Sequence, residues 1–310
     1  MYASQSHRVC PIALCDQLVP WMNEAHRVIA RVFQEALIDY EEPVYSDATQ
    51  KGFLRGLLLR DGGATGRMVV VVVSALTDEE KEKFGKLLKD ELAKLHITSL
   101  QWNIHSQANN RTLGDQYILI DGTRTMLAEL MECRFHVGPQ TFMQANRYQT
   151  KVLYERALAL AGLTEESRVL DLYCGVGTLT ILAAKVAKQA HGIEIVPESI
   201  DAAKQNAREN GVENVSFEAN PVEKALSHLP FTPDVVIADP AFKGMAENVP
   251  EELAQLGVPR IVYVSCNPKT LVRDLVAFEK LGYRVKTIEP LDLFPGSLHL
   301  ETVVLLRRAL

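Results

Sequence analysis

Cysteine is scarce in this chain. Five among 310 residues, at positions 10, 15, 133, 174 and 266, are too few and too scattered for a disulfide framework. A reducing compartment follows, and any special cysteine is a reactive one rather than a cross-link. Long apolar runs are also missing. The longest aliphatic stretch, 68–73, is far short of the ~18 residues that span a bilayer. The first ten residues offer no apolar signal segment, so a cytoplasmic protein with no membrane partner is expected. No excess of basic charge exists either: 33 Lys and Arg stand against 39 Asp and Glu, for a net charge of −6, and residues 1–140 and 141–310 each sum to −3. Nucleic-acid binding by bulk charge is excluded, which leaves local patches. Two basic stretches stand out: Lys51, Arg55, Arg60 and Arg67 around a hairpin, and the stretch 260–286. No internal repeat or low-complexity stretch appears. What is present is ordinary globular material, 47% hydrophobic and 23% charged, long enough for about two domains.

Helical spacing of Trp21, Ala25, Val28, Val32 and Ala36 predicts one amphipathic helix over 21–37. Strand-like runs at 53–60 and 67–74 flank a turn at Asp61, Gly62 and Gly63. Thr77 and Glu80 form a capping box that opens a helix to about 95, and strands follow over 97–104, 116–121 and 133–137. Beyond Arg147, short apolar strands near 168–173, 190–195, 214–218, 233–239 and 259–264 alternate with helices, which predicts a parallel sheet covered on both faces. Two last strands, 283–289 and 300–307, have no room for a helix between them and suggest an antiparallel edge pair. The expected division is a helical segment 1–40 packing on the catalytic domain, an α+β domain 41–138, and an α/β domain 139–310. A doubly wound sheet that ends this way resembles the class I, Rossmann-like methyltransferases.

Asp171, Leu172, Tyr173, Cys174, Gly175, Val176, Gly177 and Thr178 place a glycine-rich turn between a strand and a helix. Glycines there let the backbone approach a ligand, and the helix start offers free N–H groups. Glu194 ends the next strand 23 residues after Asp171, close to the ~20-residue offset at which an acid grips ribose hydroxyls. Position 180 is Thr, where a dinucleotide fold would carry a third glycine. Asp171 suits a cationic amino-acid end better than a pyrophosphate, which favours S-adenosylmethionine as cofactor. After the fifth strand come Ser265, Cys266, Asn267 and Pro268, at the carboxyl edge where open α/β sheets bind ligands. Pro268 suits the first helical position, and that helix start is expected to favour the Cys266 thiolate.

The run from Ser265 through Arg273 to Leu275 resembles the nucleophile motif of the RNA 5-methyluridine methyltransferases. The run from Asp292 through His299 to Glu301 is similar to that family's closing motif, and Phe142 to Asn146 to its cofactor-contacting segment. The resemblance covers roughly 50–310. It implies a uracil-5 methyltransferase acting on RNA, ribosomal RNA favoured over transfer RNA, with Cys266 as nucleophile and Glu301 as base. It also implies that Gln144, Tyr173, Thr178, Glu194, Asn220 and Asp239 line the cofactor pocket, together with the turn residues Asp171, Gly175 and Gly177. Arg55, Arg60, Phe242, Asn267, Arg273 and His299 are the candidate RNA contacts, His299 more as a hydrogen-bonding residue than a catalyst. A monomer is expected.

Three departures from the family accompany these motifs. The family's N-terminal RNA-binding barrel is not expected in this chain. Cys10 and Cys15 are only a remnant of the four-cysteine spacing that holds an iron–sulfur cluster in some members, so neither cluster nor metal is expected. Ala241 and Phe242 stand where the family commonly has Pro and Arg. Asp239, Pro240 and Phe242 also resemble the motif of amino-group methyltransferases, which is the rival enzymatic reading, beside a degenerate RNA-binding protein that kept the fold.

Overall fold

A computed structural model describes residues 14–109 and 111–309, so Cys10 lies outside the described residues. The chain divides into two compact units, Met1–Met126 and Leu127–Leu310.

In the first unit, α1 (Pro20–Ala36) precedes β1 (Leu54–Asp61), β2 (Arg67–Val73), α2 (Asp78–Leu92), β3 (Ser99–Ile104) and β4 (Gln116–Gly122). The sheet runs β1-β2-β3-β4, antiparallel except for the β2–β3 pair. The Thr77–Glu80 capping box closes α2 at its start in both directions. One face of α1 buries Trp21, Ile29 and Phe33 in a shared core with Phe84 and Leu88 of α2 and with Val69, Val71 and Trp102 of the sheet. Residues 20–36, expected as part of a helical segment 1–40, thus share the core of the first unit. The apolar stripe of α1 covers the same sheet face as α2, because β1 to β3 offer it Leu57, Leu59 and Val71 in alternation.

The second unit opens with β5 (Met126–Leu130) and β6 (Cys133–Val137), a two-stranded sheet. It continues with α3 (Arg147–Ala161), β7 (Arg168–Leu172), α4 (Thr178–Ala184), β8 (Gln189–Glu194), α5 (Pro197–Glu209) and β9 (Val215–Ala219). Then come α6 (Val222–Ala225), β10 (Val235–Ala238), α7 (Val249–Gln255), β11 (Arg260–Ser265), α8 (Pro268–Lys280), β12 (Tyr283–Leu291) and β13 (Glu301–Arg308). The unit begins at 127, and two asparagines of α5 hold β6 to it. Asn210 accepts from the Arg134 N–H at 2.9 Å and donates to its carbonyl at 2.7 Å, and Asn206 accepts from the His136 N–H at 2.7 Å.

The main sheet runs β12-β13-β11-β10-β7-β8-β9. β13 alone is antiparallel to its neighbours, as the missing helix between the last two strands foretold. Central strands such as Val235–Ala238 are buried along their whole length, which fits helices on both faces. The order reverses between β7 and β10, so the carboxyl ends of those strands open the crevice in which doubly wound sheets bind ligands. No helix among the described residues is long and apolar enough to cross a membrane.

Candidate active site

The turn after β7 has left-handed backbone at Tyr173, Gly175 and Gly177. Gly177 must lack a side chain, because a Cβ there would meet Ala203 Cβ and Phe217 Cε1 at 2.9 Å. Around Gly175 a Cβ would meet nothing within 4 Å, so this glycine borders open space rather than packing. Glu194 ties the turn to the end of β8: its two carboxylate oxygens accept from the Gly175 N–H at 3.2 Å and the Val196 N–H at 3.0 Å. Thr178 opens α4, which has no side-chain cap. Asn220 donates its backbone N–H to the Glu194 carbonyl at 3.0 Å and its amide to Glu218 at 2.9 Å. Tyr173 packs against the core beside these residues, its phenol pushed up to about 12 by burial.

Asp171 behaves differently from its expected place in the turn. It is buried and accepts a 2.6 Å hydrogen bond from Thr180 Oγ1. Desolvation pushes its pKa up to about 7. Asp171 thus contributes charge to the crevice while its hydrogen bond goes inward. Thr180, read in the sequence only as a missing glycine, is the partner that holds it.

The second half of the site lies at the ends of β10, β11 and β13. Asp239 follows β10 and is pushed up to about 8 by burial and by the charges of Glu301 and Asp171, while a hydrogen bond from the buried Gln144 works against that rise. Cys266 follows β11. Ser265 pairs with Thr302, so one further antiparallel step brings Glu301, the first residue of β13, beside Cys266. Glu301 is 3% exposed, burial raises its pKa, and its Oε2 finds no hydrogen-bond partner among the described residues. Tyr154 of α3, which the sequence reading missed, is buried among Asp239, Asp171 and Glu301, and desolvation and their charge hold its phenol protonated. Its helical spacing reads as ordinary core, and nothing local marks it.

The Cys266 thiol is pushed up, chiefly by desolvation and then by Glu301 and Asp239. This corrects the expectation that the helix start favours the thiolate. Asn267 caps α8 with its own side chain, accepting from the Lys269 N–H at 3.1 Å, while burial and then the two carboxylates raise the pKa of the thiol. None of Asp171, Asp239 and Glu301 is ion-paired among the described residues. The crevice is therefore lined by carboxyls, of which Asp171 and Asp239 keep protons up to about pH 7 and 8 and would ionise more readily beside a bound cation.

The substrate candidates divide. Phe242 is 59% exposed, and its carbonyl accepts from the Asn267 amide at 2.9 Å, so the two residues stand together beside Cys266. His299 is exposed in the loop before β13, its ring edge-on to Phe294. Arg273 is committed elsewhere: it donates to Asp274 at 2.7 Å and to the carbonyls of Lys243 and Met245. Arg55 and Arg60 belong to the first unit and form no single basic face. Arg55 lies over the Tyr45 ring and donates to the carbonyls of His105 and Gln107, while burial lowers the pKa of Arg60. Arg67 in turn donates to the Leu95 carbonyl at 2.6 Å. Arg55 and Arg67 are thus spent on backbone carbonyls and aromatic rings. Among the described residues no group of three His, Cys, Asp or Glu side chains could hold a metal ion.

A family profile described as a methyltransferase domain matches residues 163–275. An uncharacterized RNA methyltransferase from Clostridium tetani is 34% identical over 310 residues, a match that covers 98% of this chain and 66% of the relative. One from Caldanaerobacter subterraneus is 35% identical over 311 residues, covering 99% of this chain and 68% of the relative. The chain thus spans about two thirds of the length of these relatives. Among solved structures, the Pyrococcus abyssi tRNA (uracil-54, C5)-methyltransferase in complex with S-adenosyl-L-homocysteine aligns with a TM-score of 0.76 and 25% identity, covering 96% of this chain and 70% of that one. The second unit accordingly has the Rossmann-like methyltransferase fold, and the chain belongs to the family of these RNA methyltransferases.

Proposed function

We propose that this protein methylates carbon C5 of a uridine in RNA, with S-adenosylmethionine as methyl donor. The observation that carries the reading is the pairing of a thiol, Cys266, just past the carboxyl end of β11, with a buried carboxylate, Glu301, at the adjacent amino end of β13, whose Oε2 has no hydrogen-bond partner among the described residues. The residues present fit the cofactor. Open space beside Gly175, the acid Glu194 at the end of β8 and the buried carboxyls of Asp239 and Asp171, which a cation would help to ionise, suit a ribose and a sulfonium cation. When bound, the cofactor supplies an electrophilic methyl group.

Uracil C5 is too weak a nucleophile to accept that group unaided. Cys266 gives up its Sγ proton to solvent and adds as the thiolate to C6, and the π electron pair of the C5–C6 double bond makes C5 an enolate-like carbon. After methylation C5 carries both the methyl group and its original proton. Glu301 takes that proton, the C5–C6 double bond re-forms, and the Cys266 thiolate leaves. Burial that raises the Glu301 pKa makes its carboxylate a stronger base for that proton. Gln144 positions Asp239, and Asn267 fixes the backbone around Phe242, which offers a ring face for stacking on a base.

Nucleoside mass spectrometry of ribosomal and transfer RNA from a deletion strain tests the reading. Loss of 5-methyluridine from one fraction, restored by the wild-type gene and not by Cys266→Ala, is the expected result, and the fraction names the substrate. The exposed ring of Phe242 after Asp239 and Pro240 favours one second reading, methylation of an amino group. Loss of an N-methylated nucleoside, restored fully by Cys266→Ala, would establish that one instead.

A further inference from the structure

At the amino-terminal edge of the main sheet, opposite the strand ends that carry Cys266 and Glu301, lies a cleft of about 600 Å³. Arg260, Lys286, Arg307 and Arg308 line it, with Asp234 and Thr164 among the other walls. Arg260 and Arg307 are direct cross-strand partners on β11 and β13, and Arg284 stands opposite Arg307 on β12. Like charges directly opposite each other destabilise a sheet. The positive charge of Arg307 adds to burial in lowering the Arg260 pKa, so the repulsion is felt.

Part of this charge has a structural role. Arg260 donates to the carbonyls of Ala161 and Gly162 at the end of α3, and Arg308 to the Ala254 carbonyl at 2.9 Å. Arg284 turns toward Glu279 and its carbonyl. No hydrogen bond or ion pair engages the side chains of Lys286 and Arg307 among the described residues. Asp234, the one carboxylate in the wall, accepts from the Arg168 N–H at 3.0 Å. Four cations against one carboxylate, in a chain of net charge −6, make a concave anion site in which Lys286 and Arg307, unlike Arg260 and Arg308, have no structural hydrogen bond among the described residues.

We propose that this cleft binds the sugar–phosphate backbone of the substrate RNA, away from the reacting base. The proposal rests on the RNA reading given above. It matches an otherwise acidic surface, on which phosphate affinity must come from local patches. β11 runs from Arg260 to Ser265 between the cleft and Cys266, a separation of about 20 Å. A short oligonucleotide centred on the target uridine does not reach the cleft, whereas a structured RNA does.

The test compares the full chain with a Lys286→Ala/Arg307→Ala variant for binding a pentanucleotide and a stem-loop RNA of about thirty nucleotides across a salt series. The expected result is a loss of roughly ten-fold for the long RNA, with the logarithmic salt slope reduced by about one to two. Pentanucleotide and S-adenosylmethionine affinities stay unchanged. Because the cross-strand repulsion is removed, the variant melts no lower than the parent, which separates a lost contact from a lost fold. A charge-keeping Lys286→Arg/Arg307→Lys variant retains long-RNA binding. Equal long-RNA affinity and slope in parent and alanine variant overturn the cleft alone. A parent that binds no RNA overturns the cleft and the RNA reading together.

Discussion

At the scale of single residues, the chemistry turns on a thiol held in its neutral form. Cys266 sits near Glu301 and Asp239, and both disfavour its thiolate. Alkylation of Cys266 by iodoacetamide should therefore show an apparent pKa above the ordinary thiol value, and Asp239→Asn should move the profile toward lower pH. An unshifted profile in the variant would remove Asp239 from the electrostatics of the nucleophile. The two proposed catalytic residues act at opposite ends of the reaction, and their variants should differ in kind. Cys266→Ala should lower methylation by on the order of 10³-fold or more and leave no covalent RNA link. Glu301→Gln should instead accumulate a methylated RNA–protein adduct, visible on a denaturing gel with labelled methyl donor. Normal turnover in Glu301→Gln would transfer the base role to another group. The motifs around Cys266 and Glu301 were legible because they are contiguous in sequence. Tyr154 and Thr180 were not, because a buried phenol and a buried hydroxyl acquire their partners only when distant segments converge.

At the scale of elements, α8 holds the loop that follows β10. Asp274 is buried and accepts from Tyr263 Oη at 2.7 Å, the Met245 N–H at 3.0 Å and Arg273 Nε at 2.7 Å. Asp274→Ala would leave the buried Tyr263 hydroxyl and Met245 N–H without an acceptor. It should cost about 2–4 kcal/mol in denaturant unfolding, against less than about 1 kcal/mol for the half-exposed Arg273→Ala. Equal losses would show that the arginine, not the buried network, fixes the loop. The strand and helix elements of the second unit follow their apolar periodicity closely, since buried parallel strands read as short apolar runs. Part of the basic hairpin patch takes structural partners on folding. Arg55 and Arg67 find carbonyls more than twenty residues away, and no local pattern reveals an arginine's long-range partner.

For the whole molecule, the clustered carboxylates couple stability to pH. Asp171 and Asp239 are pushed from the ordinary 3.8 up to about 7 and about 8. Across that window the folded protein holds protons that the unfolded chain has released, so stability falls as pH rises toward 8. The ligand-free protein should be less stable at pH 8.5 than at pH 6 by roughly 1–3 kcal/mol, and Asp239→Asn should flatten that dependence. A cationic ligand should reverse the trend, since it is bound best by the ionised acids; a stability flat between pH 6 and 8.5 would show that the acids do not interact as their burial requires. By itself the sequence determined the alternation of strand and helix, the glycine turn and the motifs bearing Cys266 and Glu301. These are local, and periodicity and spacing encode them directly. Only the tertiary structure decided that α1 joins the first unit, that Arg55 and Arg273 donate to backbone carbonyls while burial lowers the pKa of Arg60, and that Arg260, Lys286 and Arg307 share one cleft. The reason is physical: charge and burial act through space, and strand order, not chain order, sets which side chains meet.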